Sequence, residues 1–279
     1  MTSAVSAPGV HAGALELTTE EYLLAWRHLR LGLVHWNLQP PGGIERTVAE
    51  RTAAQRQAWE ALRARGLAGT RELAPELQDT LHLIARPAAE LNARLDLPSG
   101  KRTVVGCARG EHAAVAEFGE FGLRIRAARG TALPTAMAES IPDRPPPPLA
   151  EPAIRVLAEP AIQAVSVPAE LLADQEAMTG AEVERALLRG GTRPDDAHRF
   201  RFMLQGRKLG GGKFGAAQHD RQGGRHVAEF VVTYYETERG GYTLEQKRGV
   251  DRSRWYTLAP ATRPQLAQRL AQLLNSIRR

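Results

Sequence analysis

The residues whose types and spacing could do chemistry are few. Gly206-Arg207-Lys208 through Gly212-Lys213-Phe214 has the outline of a phosphate loop. That loop requires Gly, four residues, Gly-Lys and then Ser or Thr, but Arg207 stands at the first Gly position and Phe214 at the last. The stretch also leads into a strand pattern, where an anion site of this kind must feed a helix N-terminus. It reads instead as a glycine-rich hairpin. The histidines are His11, His28, His35, His82, His112, His198, His219 and His226, and none makes a helical pair enclosing a carboxylate, so a zinc hydrolase has no support. Cys107 follows Val104 and Val105 in a strand pattern, which suits a buried, inert thiol better than a nucleophile. No Ser sits in a Gly-x-Ser-x-Gly elbow, and Asp195-Asp196 reads as charge at a helix start. The sequence therefore calls for no catalytic residues, no metal and no cofactor, and the chain is read as a non-enzyme.

Composition narrows the remaining classes. The 279 residues carry 37 Lys+Arg against 31 Asp+Glu, a net charge of +6, with 5% aromatic residues and one Cys. One Cys excludes a disulfide framework and fits a reducing, cytoplasmic location. No apolar run is long enough for a membrane span. Residues 1–14 lack the order of a signal peptide and read as a flexible leader. The basic balance invites nucleic acid. Most of the excess, however, is single Arg residues scattered along helical patterns such as Glu45 to Arg65, where they alternate with Glu45, Glu50 and Glu60. A basic nucleic-acid-binding accessory protein stays as the alternative function.

The elements that must position any site follow from periodicity. Thr18 and Glu21 have capping-box spacing before a helix bearing Tyr22, Trp26 and Leu29. Leu33 to Leu38 reads as a strand, and Glu45 to Arg65 as a helix ending at Gly66. From Pro75, the residues Leu77, Leu81, Ile84, Ala88, Leu91 and Leu95 step like a helical seam that Pro87 should kink or split. Three strands follow at 102–108, 112–118 and 123–127, joined by hairpins in a sheet with one wet side, and Thr131 to Ser140 closes as a helix. Six prolines between Pro142 and Pro152 mark a connector. Beyond it come a strand at 162–167, helices at 169–178, 181–189 and 194–205, strands at 212–219, 225–236, 242–248 and 254–258, and a last helix capped by Thr262 and Gln265. Both halves run helix, antiparallel strands, helix. The chain is therefore read as a pseudo-duplicated α+β protein. The expected divisions are a leader at 1–14 and one domain at 15–279, made of halves 15–141 and 161–279 around a connector at 142–160.

Particular residues then point to a family. Val227 to Tyr235, Arg239-Gly240-Gly241-Tyr242-Thr243-Leu244 and Trp255-Tyr256-Thr257-Leu258-Ala259-Pro260 before a Leu-rich helix resemble the closing segment of the EspG family. These are secretion-associated chaperones of the type VII (ESX) systems of actinobacteria. Leu15-Glu16-Leu17-Thr18 and the middle strands agree with it. The resemblance implies a central antiparallel sheet flanked by helical bundles, with two pseudo-symmetric halves. It also implies a cytosolic partner for a helical PE/PPE-like substrate, whose apolar tip it keeps from aggregating before export. The regions that the family uses for its partner are assigned here to the turn between the second and third sheet strands, taken as Ala108 to His112, and to the C-terminal helical bundle. The candidate partner-binding residues are Arg109 and Glu111 in the turn, and Leu187, Leu188, Phe202 and Met203 in the bundle.

Overall fold

The computed structural model describes residues 14–40, 47–144, 164–172, 180–249 and 252–277. In the first half, β1 (Ala14–Leu17) is followed by three helices, α1 (Thr19–His28), α2 (Val48–Ala64) and α3 (Pro75–Ala85). Then come β2 (Ala89–Leu97), β3 (Gly100–Arg109), β4 (His112–Gly119), β5 (Gly122–Arg129) and the short α4 (Leu133–Ala138). The second half opens with β6 (Val165–Pro168), α5 (Gly180–Arg189) and α6 (Pro194–Leu204). It continues through β7 (Lys208–His219), β8 (Arg225–Val227), β9 (Val232–Thr237), β10 (Gly240–Arg248) and β11 (Arg254–Pro260) to α7 (Arg263–Asn275).

All these strands join one antiparallel sheet in the order β1-β5-β4-β3-β2-β7-β9-β10-β11-β6, with β8 pairing off β7. From the centre outward, each half is a four-stranded meander closed on its outer edge by its own first strand. β2 corresponds to β7, β3 to β9, β4 to β10, β5 to β11, β1 to β6, and α4 to α7. The pseudo-symmetric halves of the expected α+β fold meet in the β2–β7 pair, which runs in register from Ala89–Gln218 to Asp96–Gly211.

Alternation along the strands divides the apolar residues between two faces. On one face, Leu91, Ala93 and Leu95 of β2, Phe214 of β7 and Val232 of β9 are buried under α4 and α7. On the other face the cover is split. Helices α1 to α3 lie over β3, β4 and β5 with Tyr22, Trp26, Leu62 and Leu77 inward. Helices α5 and α6 lie over β6, β10 and β11 with Val183, Leu187, Phe200 and Met203 inward. The capping boxes at Thr18–Glu21 and Thr262–Gln265 form as the sequence indicates, and a third, Thr47–Glu50, starts α2 at Val48.

Several expectations are corrected. The helical seam ends at Ala85, because Pro87 cannot donate to a helix, and Ala89–Leu97 is a strand. Leu91 and Leu95 therefore belong to a period of two, with Glu90, Asn92, Arg94 and Asp96 on the opposite face. Leu33 to Leu38 is not a strand. It is an extended loop closed by a 3₁₀ turn at Trp36–Leu38, which His35 caps by accepting from the Asn37 N–H. The expected strand at 225–236 is two strands, and Gly210, Gly211 and Gly212 lie inside β7 and not in a hairpin turn. The sheet has no wet side along β3 and β4, whose Val104 and Val115 pack under α4 while Val105 and Ala114 pack under the α1–α3 layer. Of the expected helix at 169–178, residues 169–172 form a 3₁₀ turn. The rest lies outside the described residues, as do the leader through residue 13 and the connector from residue 145 to 163.

Candidate binding groove

Among the described residues, the split cover leaves a strip of β2, β7 and β9 bare between the two helical layers. There the structure has a groove of about 1490 Å³. Its floor can be read from the register. Phe118, Thr103, Arg94, Lys213, Thr233 and Leu244 are successive cross-strand partners on one face. β7 contributes Gly211, Lys213 and Gly215 to this floor, so lysine is flanked by two positions without side chains, and the strip is deep there. Gly211 also has no room for a Cβ, which would collide with the Tyr234 carbonyl oxygen of β9. The glycine-rich run thus brings strands close together and hollows the floor.

The walls mix aromatic and cationic groups. Trp36, half-exposed, comes from the 3₁₀ turn of the first half, and the Arg94 guanidinium stacks 4.8 Å from its ring centroid. Across the strip, the Lys208 ammonium lies 5.1 Å from the Tyr235 ring. Such contacts orient a cation without neutralising it. Val231 is exposed on the same wall, and the fully exposed Phe121 stands in the β4–β5 turn beside Glu120, which lines the groove. Lys101 pairs with Asp96 at 3.5 Å, and Arg248 takes up Glu229.

On the same face of β2, past Asn92 of the groove, lies Glu90, which is 1% exposed. Its carboxylate accepts from Asn92 at 2.9 Å and faces His35 at 3.2 Å, Arg225 at 3.2 Å and His219 at 3.7 Å. Burial alone would raise its pKa. The hydrogen bond and charge of His35, the Arg225 guanidinium and the Asn92 amide outweigh that and hold it down at about 2. Glu90 and His35 belong to the first half, and Arg225 and His219 to the second, so this cluster ties the halves together. Cys107 is fully buried, and burial pushes its thiol well above the ordinary range, so it stays protonated and inert. Among the described residues, no group of three or more His, Cys, Asp or Glu is arranged to hold a metal ion.

None of the six residues singled out from the sequence lines this groove. Arg109 and Glu111 are exposed at the β3–β4 turn, where the Arg109 guanidinium donates to the Arg86 carbonyl. That turn joins the third and fourth strands of the chain, because β2 was hidden in an apparent helix and 33–38 is no strand. The turn between the second and third strands is Pro98–Ser99, at the opposite end of the ten-residue β3, roughly 30 Å away. It adjoins Lys101 and Arg102 of the groove. Leu187 and Met203 are buried in the α5–α6 layer, and Phe202 is buried beneath the Arg239 guanidinium, 4.3 Å from its ring. Leu188 is 43% exposed on the outside of that layer. The sequence marks Lys213 only as part of a phosphate-loop outline and Arg94 not at all, because a floor exists only once strands distant in sequence are paired.

Comparison with known proteins decides the family. The EspG family model matches residues 18–272. The chain belongs to the EspG family. Among solved structures, the Mycobacterium tuberculosis type VII secretion system chaperone EspG5, in complex with a PE25-PPE41 dimer, is similar with a TM-score of 0.65. The match covers 95% of this chain and 97% of that one at 18% identity, a likeness of fold. No curated protein matches the chain. The EspG-family fold accounts for the layered sheet and its paired halves. No helix among the described residues is long and apolar enough to cross a membrane.

Proposed function

We propose that this chain is a cytosolic, non-catalytic chaperone that holds a helical, PE/PPE-like secretion substrate soluble until export. The observation that carries this reading is membership of the EspG family over residues 18–272. The similar EspG5 fold, which is found with a PE25-PPE41 dimer, supports it. The bare strip between the helical layers gives such a partner a concave seat, and covering apolar groups there gains roughly 25 cal/mol per Å² before the costs of association. Residues 15–279 act as one unit in this reading, since the sheet is continuous across both halves.

In this proposal the partner contacts the groove, the Pro98–Ser99 turn beside it and the α5–α6 layer. Leu188 is the direct contact among the bundle candidates, with Leu187, Phe202 and Met203 as the packed base beneath it. Arg109 and Glu111 offer a secondary contact at the far turn. The test is co-expression with PE/PPE pairs from the same genome, followed by gel filtration with light scattering. A soluble 1:1:1 complex is expected with a cognate pair. If every pair stays insoluble or elutes apart from the chain, the chaperone reading is wrong.

A further inference from the structure

The groove floor carries a pairing that a finished sheet avoids. Arg94 and Lys213 are direct cross-strand partners at the junction of the two halves, both exposed on the same face. Like charges placed directly opposite each other destabilise a sheet. Arg94 donates to the Asn37 side-chain oxygen at 3.2 Å and stacks on Trp36, and Lys208 lies over Tyr235. Among the described residues, Arg94, Lys208 and Lys213 have no carboxylate partner, whereas the groove's Lys101 and Glu229 are each engaged in an ion pair. The repulsion is left in place on a strip of the sheet that no helix among the described residues covers. On the covered face the same two strands carry Ala93 and Phe214 as partners, packed under α4 and α7.

Resting on the partner-binding reading above, we propose that the groove selects a protein tip that carries a carboxylate among apolar side chains. The carboxylate seats between Arg94 and Lys213, and the apolar groups seat against Trp36 and Val231. One acidic side chain would relieve the repulsion between the two cations and gain two charge-assisted hydrogen bonds. The aromatic and aliphatic wall supplies the apolar contact, and the surrounding cations speed encounter with an acidic tip. The groove thereby discriminates among partners that share a general helical shape, because a basic tip would meet three unneutralised cations.

The experiment is selection of phage-displayed helical hairpins with randomised tips on the full chain and on the charge-reversed Arg94→Glu/Lys213→Glu variant. The wild-type chain is expected to enrich tips with Asp or Glu beside Leu, Phe or Trp, and the reversed variant tips with Lys or Arg. A selected acidic hairpin should bind the reversed variant about tenfold or more weakly, and exchange of its acid for Lys should recover that loss. If the reversed variant does not fold, Arg94→Gln/Lys213→Gln replaces it and is expected to lose the acidic preference. Enrichment of apolar tips without acid, or of the same tips by both proteins, overturns this inference and leaves the docking reading standing. Enrichment of no tip by the wild-type chain overturns the docking reading and this inference with it. A fluorescein-labelled single-stranded oligonucleotide that binds as tightly as the selected hairpins, with steep salt dependence, overturns it in favour of a general polyanion surface.

Discussion

The central strands β2 and β7 present two opposite solutions on their two faces. Towards α4 and α7 they place Leu91, Ala93, Leu95, Phe214 and Ala216, closely packed and dry. Towards the other side they place Glu90, Asn92, Arg94, Asp96 and Lys213, and the helices that could cover them stand apart over the flanking strands. The backbone is the same and the hydrogen-bond ladder is shared, so the contrast comes from side chains alone. It teaches that the middle of this sheet is stabilised from one face, which frees the other to be polar, hollow and charged.

Substitutions on the two faces should separate stability from binding. The largest effect is expected from Phe214→Ala on the covered face, which opens a cavity under α7 and should cost about 3–5 kcal/mol in denaturant unfolding. Glu90→Gln should follow at about 3 kcal/mol, since it leaves Arg225 and His35 facing an uncharged group in a buried site. This effect has a pH signature. Glu90 is held at about 2 in the folded chain against an ordinary 4.5, so the unfolded chain takes up its proton first as the pH falls. The stability that Glu90 contributes is complete above about pH 4.5 and is lost as pH drops towards 2, and the Gln variant should lack this part of the acid sensitivity in melts run across that window.

Gly106→Ala should rank third. Its Cβ would stand 2.7 Å from the Met137 sulfur and 2.8 Å from Leu133 Cδ1, pressing α4 off the covered face at a cost of about 1–3 kcal/mol in the same unfolding assay. The smallest effect, and opposite in sign, is expected for Lys213→Gln on the bare face. Removing one of two opposed cations should raise stability by roughly 0.2–1 kcal/mol, read as a small upward shift in Tm, while weakening binding of an acidic partner. A loss of stability there would mean that Lys213 has a structural role and that the two faces differ less than described.

Most of the fold was legible from local signals. The capping boxes at Thr18 and Thr262, the hairpin strands through Arg124 and Arg126 and the helix–strands–helix order in each half all follow from short-range spacing. β2 was not read correctly, because Leu77, Leu81, Ile84, Ala88, Leu91 and Leu95 satisfy a helical period across Pro87. The strict alternation from Glu90 to Leu97 was the competing signal, and Pro87 was the reason to prefer it. The groove was not legible as a groove, although the run from Lys208 to Lys213 that supplies part of its lining stood out as a phosphate-loop outline. Arg94 and Lys213 are 119 positions apart, and Trp36 stood in a run that reads equally well as a strand, so the floor and wall arise only from tertiary pairing. Counting strands from a sequence that hid β2 also put the turn between the second and third strands at Ala108–His112, whereas in the fold that turn is Pro98–Ser99.

The central claim is that the bare strip of β2, β7 and β9 is the partner's seat. It is tested most directly by comparing Lys213→Trp, which fills the strip, with Gln268→Trp on the exposed side of α7. Each variant is co-expressed with the PE/PPE pair that the wild-type chain solubilises and analysed by gel filtration with light scattering. The account predicts that Lys213→Trp elutes without the pair, at a Tm no lower than that of the wild-type chain, while Gln268→Trp retains the complex. A complex that forms equally well with Lys213→Trp, or that is lost only with Gln268→Trp, would contradict it.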